Sequence, residues 1–293
     1  MTIGVDYASV DNNAEPDFAA AKQAGAQFAI ARGVFGRSVV ANNTAPFRDP
    51  VWDRDKDAIT QAGLLRGAYL FVCYPKAGAD TPSPEEQAQA FIDYVELDSG
   101  TDIVPMFDVE QESTLSADDM YDWTARVCRT LKEAYETWPG MYTSARVWTE
   151  LLNDHAAGEL AECPLWIAKP WPFAERTPAH LDGLPDSVPK TIPQFGDPTT
   201  WLIYQYQGDA IQFPGFTSTV DVNRMQTLAR DAKGDMVKWI QRRLDVSADG
   251  DFGPQTEAAV ETFQSSQGLL ADGIVGPQTL TAISWILPAS PIS

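Results

Sequence analysis

The chain has 293 residues, 44% of them hydrophobic, which is enough for one large core and a small second one. Lys and Arg number 21 against 41 Asp and Glu, a formal net charge of −20; a surface this acidic repels nucleic acid and anionic membranes, and neither is expected as a partner. Three scattered cysteines (Cys73, Cys128, Cys163) and two histidines (His155, His180) give neither a disulfide framework nor zinc-ligand spacing, so buried thiols and no metal or other cofactor are expected.

The opening MTIGVDYASVD has no basic segment followed by an apolar one, and no apolar run reaches bilayer length. Neither a cleavable leader nor a membrane span is expected. IGVDY (3–7) reads as a short strand that carries Asp6. DFAAAKQAGA follows with helical spacing, then QFAIARG (27–33) as a second strand. Arg32 at its end suits a substrate carboxylate or an internal acid, and the internal ion pair is the stronger expectation. The acidic clusters DRDKD (53–57) and SADDM (116–120) lack calcium-loop spacing and read as solvated faces or helix starts. GAYLFVCY (67–74) is a third strand, with the helical pattern EEQAQAFIDYVELD behind it.

IVPMFDVEQES (103–113) carries the sharpest local signal. Ile103 to Val109 reads as a buried strand, so Asp108 and Glu110 share a face with Cα atoms roughly 6.5–7 Å apart. Like charges that close hold one proton to a higher pH. Glycoside cleavage needs such a pair: an acid to protonate the leaving oxygen and a carboxylate to support the oxocarbenium-like transition state. Alone, a D-x-E pair is more often a solvated strand end. Further candidate strands follow: GMYTS (140–144), LWIAKPW (165–171), WLIYQYQ (201–207) and TVDVN (219–223). Strand–helix alternation on this scale predicts an α/β fold with a parallel barrel, whose functional site gathers at the strands' C-terminal ends. Asp6, Asp108, Glu110 and Asp221 would converge there, although Asp221 also suits a strand-end cap. Tyr69, Tyr142, Trp166, Tyr204 and Tyr206 lie on the same strands and are candidate platforms for sugar faces, Tyr69 and Tyr142 ahead of the rest. Tyr204 and Tyr206 share a face, so Gln205 points away from both.

The tail repeats itself. VKWIQRRLDVSADGDFGPQT (237–256) aligns without gaps to VETFQSSQGLLADGIVGPQT (260–279), a 23-residue period. Each unit reads as a helix, a DG turn and a Gly-Pro start of the next helix. Neither buries its apolar stripe alone, so the two pack into a module of about three helices. The junction MQTLARDAKGD (225–235) has no Pro/Ser spacer, and restricted domain motion is expected.

The repeat resembles the type-1 peptidoglycan-binding family, on Asp249, Gly250, Gly253, Thr256, Ala259, Val260, Phe263 and Gln264, with Asp272, Gly273, Gly276 and Thr279 in the second copy. The preceding part resembles glycoside hydrolase family 25, the N-acetylmuramidases called Chalaropsis-type lysozymes. That resemblance rests on GVD (4–6), AGLLRGAYLF (62–71), FDVE (107–110), GMYTS, LWIA (165–168), YQY (204–206) and VDVN (220–223). It implies an irregular (β/α)8-type barrel over residues 1–228 and a wall-binding helical domain over 229–293. It also implies cleavage of the β-1,4 bond between N-acetylmuramic acid and N-acetylglucosamine in bacterial peptidoglycan. Glu110 would be the general acid, its pKa raised by neighbouring acids and partial burial. Asp108 would be the second catalytic carboxylate, by steadying an intermediate made with the substrate's N-acetyl group, by direct attack or by activating water. Asp6 and Asp221 would orient the pair. Two departures, YASVD after the first Asp and Leu70 where His is usual, are expected to alter subsite contacts. The expected protein is a monomeric lysozyme of the phage-endolysin type, or an autolysin exported by another route, acting on the wall. A non-catalytic wall binder and a family 18-like chitinase are the alternatives; Met106, where the latter has an acid, speaks against it.

Overall fold

The computed structural model describes residues 2–11, 13–37, 45–76, 80–144, 146–148, 158–168 and 201–287, with main chain only for 206–211. Among these residues, β1 (Ile3–Tyr7), β2 (Ala26–Phe35), β4 (Leu65–Phe71), β5 (Met106–Asp108), β6 (Gly140–Ser144), β7 (Leu165–Ala168), β8 (Trp201–Ile211) and β9 (Val220–Met225) form the barrel. Their order is β1-β9-β8-β7-β6-β5-β4-β2, and β1 pairs back onto β2 to close it. The two-residue β3 (Phe47–Arg48) pairs with the end of β2 outside the ring. The strands run parallel except β9, which is antiparallel to both β8 and β1. That reversal makes the barrel irregular, and it departs from the all-parallel expectation.

Inward positions follow the two-residue period and grade from apolar to polar along each parallel strand. Phe28 and Ile30 precede Arg32, Met106 precedes Asp108, and Ile203 precedes Gln205; the apolar members share one buried interior cluster. On β9 the order is Asp221, Asn223, Met225, because that strand enters from the polar end. Gly4 faces Phe28, whose ring lies 2.3 Å from where a Cβ would sit, so no other residue fits there without displacing the ring. Outward positions form a second apolar layer under the helices, including Leu70, Phe107, Val109 and Tyr204.

Helices α1 (Phe18–Gln23), α2 (Pro50–Gln61), α3 (Pro84–Ile92) and α4 (Ala117–Tyr135) start on side-chain caps from Asp17, Asp49, Ser83 and Ser116. Ser83 and Glu86 complete a reciprocal capping box. SADDM is therefore a helix start, as expected. DRDKD lies inside α2, and Asp55 within it is buried, accepting from the Tyr7 hydroxyl at 2.9 Å, rather than on a solvated face. The strand expected over 103–109 is shorter, since Pro105 has no N–H to pair. Its flanks still bond, Ile103 N–H to Arg66 O at 2.8 Å and Val109 N–H to Tyr142 O at 2.9 Å. All three cysteines are buried free thiols.

The tail holds α5 (Asp235–Arg243), α6 (Pro254–Ser266) and α7 (Pro277–Ser284), with prolines opening the last two. The repeated letters build one motif twice. Gln241 Nε2 donates to Asp249 Oδ1, Asp251 O and Thr256 Oγ1 at 2.8–3.0 Å, and its Oε1 accepts from Gly250 N–H. Gln264 does the same with Asp272, Ile274, Thr279 and Gly273. Gly250 and Gly273 sit at φ +79 and +71, which disfavours any residue with a Cβ. The module packs on the end of the barrel where the parallel strands begin. Leu228 and Val275 exchange backbone bonds, Trp285 Nε1 donates to Asp102 O at 2.7 Å, and Thr137 Oγ1 donates to Ser284 O at 2.9 Å. Val237, Ile240, Leu280 and Ile283 continue the barrel's interior cluster.

Candidate active site

At the polar end, Asp6, Asp108, Glu110 and Asp221 line one cleft of about 380 Å3. Asp6 and Asp221 are register partners on β1 and β9, so two acids face each other across neighbouring strands. Asp221 reaches the mouth because it opens an antiparallel strand, whereas Asp6 and Asp108 stand at or near the ends of parallel ones.

Two amides hold the acids. Gln205 Nε2 donates to Asp221 Oδ2 at 2.8 Å and to Asp6 Oδ2 at 3.3 Å, while its Oε1 accepts from the Tyr142 hydroxyl at 2.8 Å. Asn223 Nδ2 donates to Asp6 Oδ2 at 2.5 Å, and its Oδ1 accepts from Trp166 Nε1 at 2.8 Å. An indole N–H only donates, so Trp166 fixes the Asn223 oxygen on its own side and the amine toward Asp6. Sequence reasoning missed both amides as site residues. The signal was the two-residue period: Gln205 opposes Tyr204, and Asn223 follows Asp221.

Burial, then Asp221, pushes the Asp6 carboxyl well above the usual range, against the pull of Asn223 and Gln205. Burial, then Glu110 and Asp6, pushes Asp108 up as well, with Arg32 opposing. Asp108 Oδ1 is buried without a hydrogen-bond partner among the described residues. Glu110 is exposed, not partly buried as expected, because it stands two residues past the end of β5 at the rim.

The aromatic candidates separate. Tyr69 and Tyr142 line the cleft, and both stand edge-on to Trp166, at 6.0 and 4.8 Å between centroids. Trp166 is 1% exposed, so it supports the cleft from below. Tyr204 packs outward beside Trp201 and is not brought to the cleft. The Tyr206 side chain lies outside the described residues. Arg32 forms the internal ion pair, with Asp49 at 2.8 Å, while its side chain borders the cleft. Leu70 is fully buried under the helices, so the departure there alters the outer layer and not a subsite. In YASVD, Val10 and Asp11 do line the cleft edge. Among the described residues, no group of His, Cys, Asp or Glu has the arrangement of a metal site.

The model of the family glycosyl hydrolases family 25 matches residues 5–216, and that of a putative peptidoglycan binding domain matches 233–283. Among solved structures, the fold is similar to a muramidase from Trichobolus zukalii (22% identity, TM-score 0.56, covering 77% of this chain and 94% of that one). It is similar to a lysozyme from Streptomyces coelicolor (21%, 0.57, 77% and 92%) and to a family GH25 lysozyme from Aspergillus fumigatus (24%, 0.56, 77% and 93%). The curated proteins gave no match.

Proposed function

The chain belongs to glycosyl hydrolase family 25, and on that premise we propose that its acidic cleft cuts the β-1,4 bond between N-acetylmuramic acid and N-acetylglucosamine in bacterial peptidoglycan. The enzyme is a glycosidase with a wall-binding module, a peptidoglycan hydrolase. Solved structures that share its fold include a muramidase and a bacterial lysozyme, which is in keeping with this reading. We place its action at the bacterial wall and take it to work as a monomer.

The convergence of Asp6, Asp108, Glu110 and Asp221 on one cleft carries this reading. Glu110 is the proton donor. It is exposed at the rim, so it regains its proton from water between turnovers, as a general acid must. Asp108 is the buried partner. It lines the cleft, and an acetamido N–H of a bound sugar is a group its carboxylate can accept from. That contact orients the substrate's own carbonyl oxygen toward the anomeric carbon. Asp6 and Asp221 supply negative charge near the oxocarbenium-like centre, and Gln205 and Asn223 keep them from parting.

Mass spectrometry of fragments released from purified peptidoglycan tests this, with Glu110→Gln as control. Fragments with reducing N-acetylmuramic ends, absent for the variant, are expected. Reducing N-acetylglucosamine ends would make it a glucosaminidase, and no release from several wall types would leave a binder.

A further inference from the structure

Inward positions turn from apolar to polar toward the mouth, but β2 and β4 break that grade at their last residues. Phe71 ends β4 and is the register partner of Asp108 on β5. Phe35 ends β2 and is the partner of Phe71, and Phe47 on β3 is the partner of Phe35. Asp108, Phe71, Phe35 and Phe47 therefore stand in one row across four neighbouring strands, roughly 14 Å long at the usual strand spacing. A bulge puts Phe35 there. Arg32 borders the cleft, and strict alternation from it would send Phe35 to the outer layer. The register slips between Arg32 and Val34, so Val34 packs outward under the helices and Phe35 turns to the mouth. Gly33 stands at the slip, where a Cβ would lie 2.4 Å from Val95 Cγ2.

The Phe35 and Phe71 rings stack, 4.9 Å between centroids and 25° between planes. The guanidinium groups of Arg32 and Arg37 lie 5.3 and 5.6 Å from the centre of the Phe35 ring and hold it in place. Core packing does not account for the row. Phe35, Phe47 and Phe71 are each partly exposed, whereas Ile30, Tyr69 and Met106, one layer down, are buried. Phe71 lines the cleft itself. The cleft carries five acids, Asp6, Asp11, Asp108, Glu110 and Asp221, and Arg32, the cation on its wall, is paired with Asp49. Such a site repels an anion and suits a neutral occupant with apolar faces, which a pyranose ring presents to an aromatic one.

We propose that Phe71 and Phe35, with Phe47 at the outer end, form a track for the glycan strand that holds its neutral sugar, N-acetylglucosamine, beside the bond being cut. The assignment rests on the glycan-cutting reading above. Rings already fixed by stacking hold a sugar at little cost in conformational freedom. The row begins at Asp108, so filling it decides which bond of a strand reaches Glu110. Phe35 is thus a specificity-determining residue, placed by the bulge at Gly33.

The test uses the full chain and two readouts. In the Glu110→Gln background, calorimetry with chitotetraose measures binding without cutting. Adding Phe35→Ala should weaken that binding roughly threefold to tenfold, and Phe35→Tyr, which keeps the ring, should restore it. With Glu110 intact, an eight-sugar strand of alternating N-acetylglucosamine and N-acetylmuramic acid is digested and its products are sized. Phe35→Ala should change their proportions, because the strand loses the register that fills the track. Thermal midpoints check that each variant is folded. Unchanged chitotetraose affinity in folded Phe35→Ala would overturn the proposal. So would a lower rate with the same product proportions, which is what a purely structural ring would give. If the wild type cuts no strand while chitotetraose binding still depends on Phe35, the muramidase reading fails and the track stands.

Discussion

The Gln205 amide stands 2.8 Å from the Asp221 carboxylate, and the same nitrogen reaches Asp6 at 3.3 Å. One neutral side chain thereby spans two acids that would otherwise repel each other, and Tyr142 fixes its orientation from behind. Gln205→Leu removes the bridge and leaves the Tyr142 hydroxyl unpaired. The lost hydrogen bonds to charged groups correspond to about 1.5–3 kcal/mol, so kcat should fall roughly tenfold to a hundredfold. A structural role alone would lower the thermal midpoint and leave the pH profile in place. A positioning role should also move the pH–rate profile, because the Gln205 hydrogen bond holds the Asp6 carboxyl down against burial and Asp221, and its loss would raise that carboxyl further. Steady-state rates across pH decide between them.

Asp108 gives a prediction with a defined sign. Its carboxyl titrates well above the usual range in the folded protein, chiefly through burial. Between the ordinary value and the raised one, the folded state holds a proton that the unfolded chain has released. Stability therefore falls as pH rises across that window, and the deficit is complete above the folded value. Asp108→Asn removes it. The variant should be more stable than wild type at pH 7, with the gap closing toward pH 4. Its activity should fall by about 10²–10⁴. Thermal midpoints of both proteins across pH measure the first effect; a gap independent of pH would show that burial of this charge is not its source.

Much of this site was legible in the sequence, and the shortfalls have physical causes. The acids were legible because short hydrophobic runs ending in Asp or Glu mark parallel strands that open onto a mouth. The direction of β9 was not, since VDVNRM reads as a strand in either sense. Its order of inward residues, polar first, was the available clue. Gln205 and Asn223 were passed over because amides carry no charge to draw attention, although the two-residue period placed both inward. Leu70 was misassigned because the identity at a matched position was weighed before the face it occupies. In the tail, the repeated letters spoke for a helix–turn fold, and the bonds of Asp, Gly and Thr to Gln241 and Gln264 show how they build it.

Asn223 holds Asp6 through its amine and Trp166 through its oxygen. Asn223→Asp keeps the indole bond but places a further carboxylate against Asp6, in a position that is fully buried. The cost should be on the order of 3–5 kcal/mol at neutral pH, and smaller in acid, where the added group is protonated. Denaturant unfolding at pH 5 and pH 7.5 checks this. Equal losses at both would mean that repulsion between the carboxylates is not the cause.

Gln241 and Gln264 occupy the same place in the two copies, and each donates to three acceptors while accepting from a glycine N–H. Leucine is close in size but leaves a buried threonine hydroxyl and a buried glycine N–H without their partner, along with two acceptors on exposed residues. Either substitution should cost about 2–4 kcal/mol. The copies do not stand alone, since Ile240, Val260 and Leu280 share one cluster that runs into the barrel floor. Gln241→Leu should therefore loosen the second loop as well as the first, and Gln264→Leu the reverse. Hydrogen exchange at Gly250 and Gly273, whose N–H groups bond to the two glutamines, reads this directly. Faster exchange at both glycines in both variants is the expected result. Exchange that quickens only in the substituted copy would make the repeats independent units, and the chain would then have no need to write its motif twice in contact with one core.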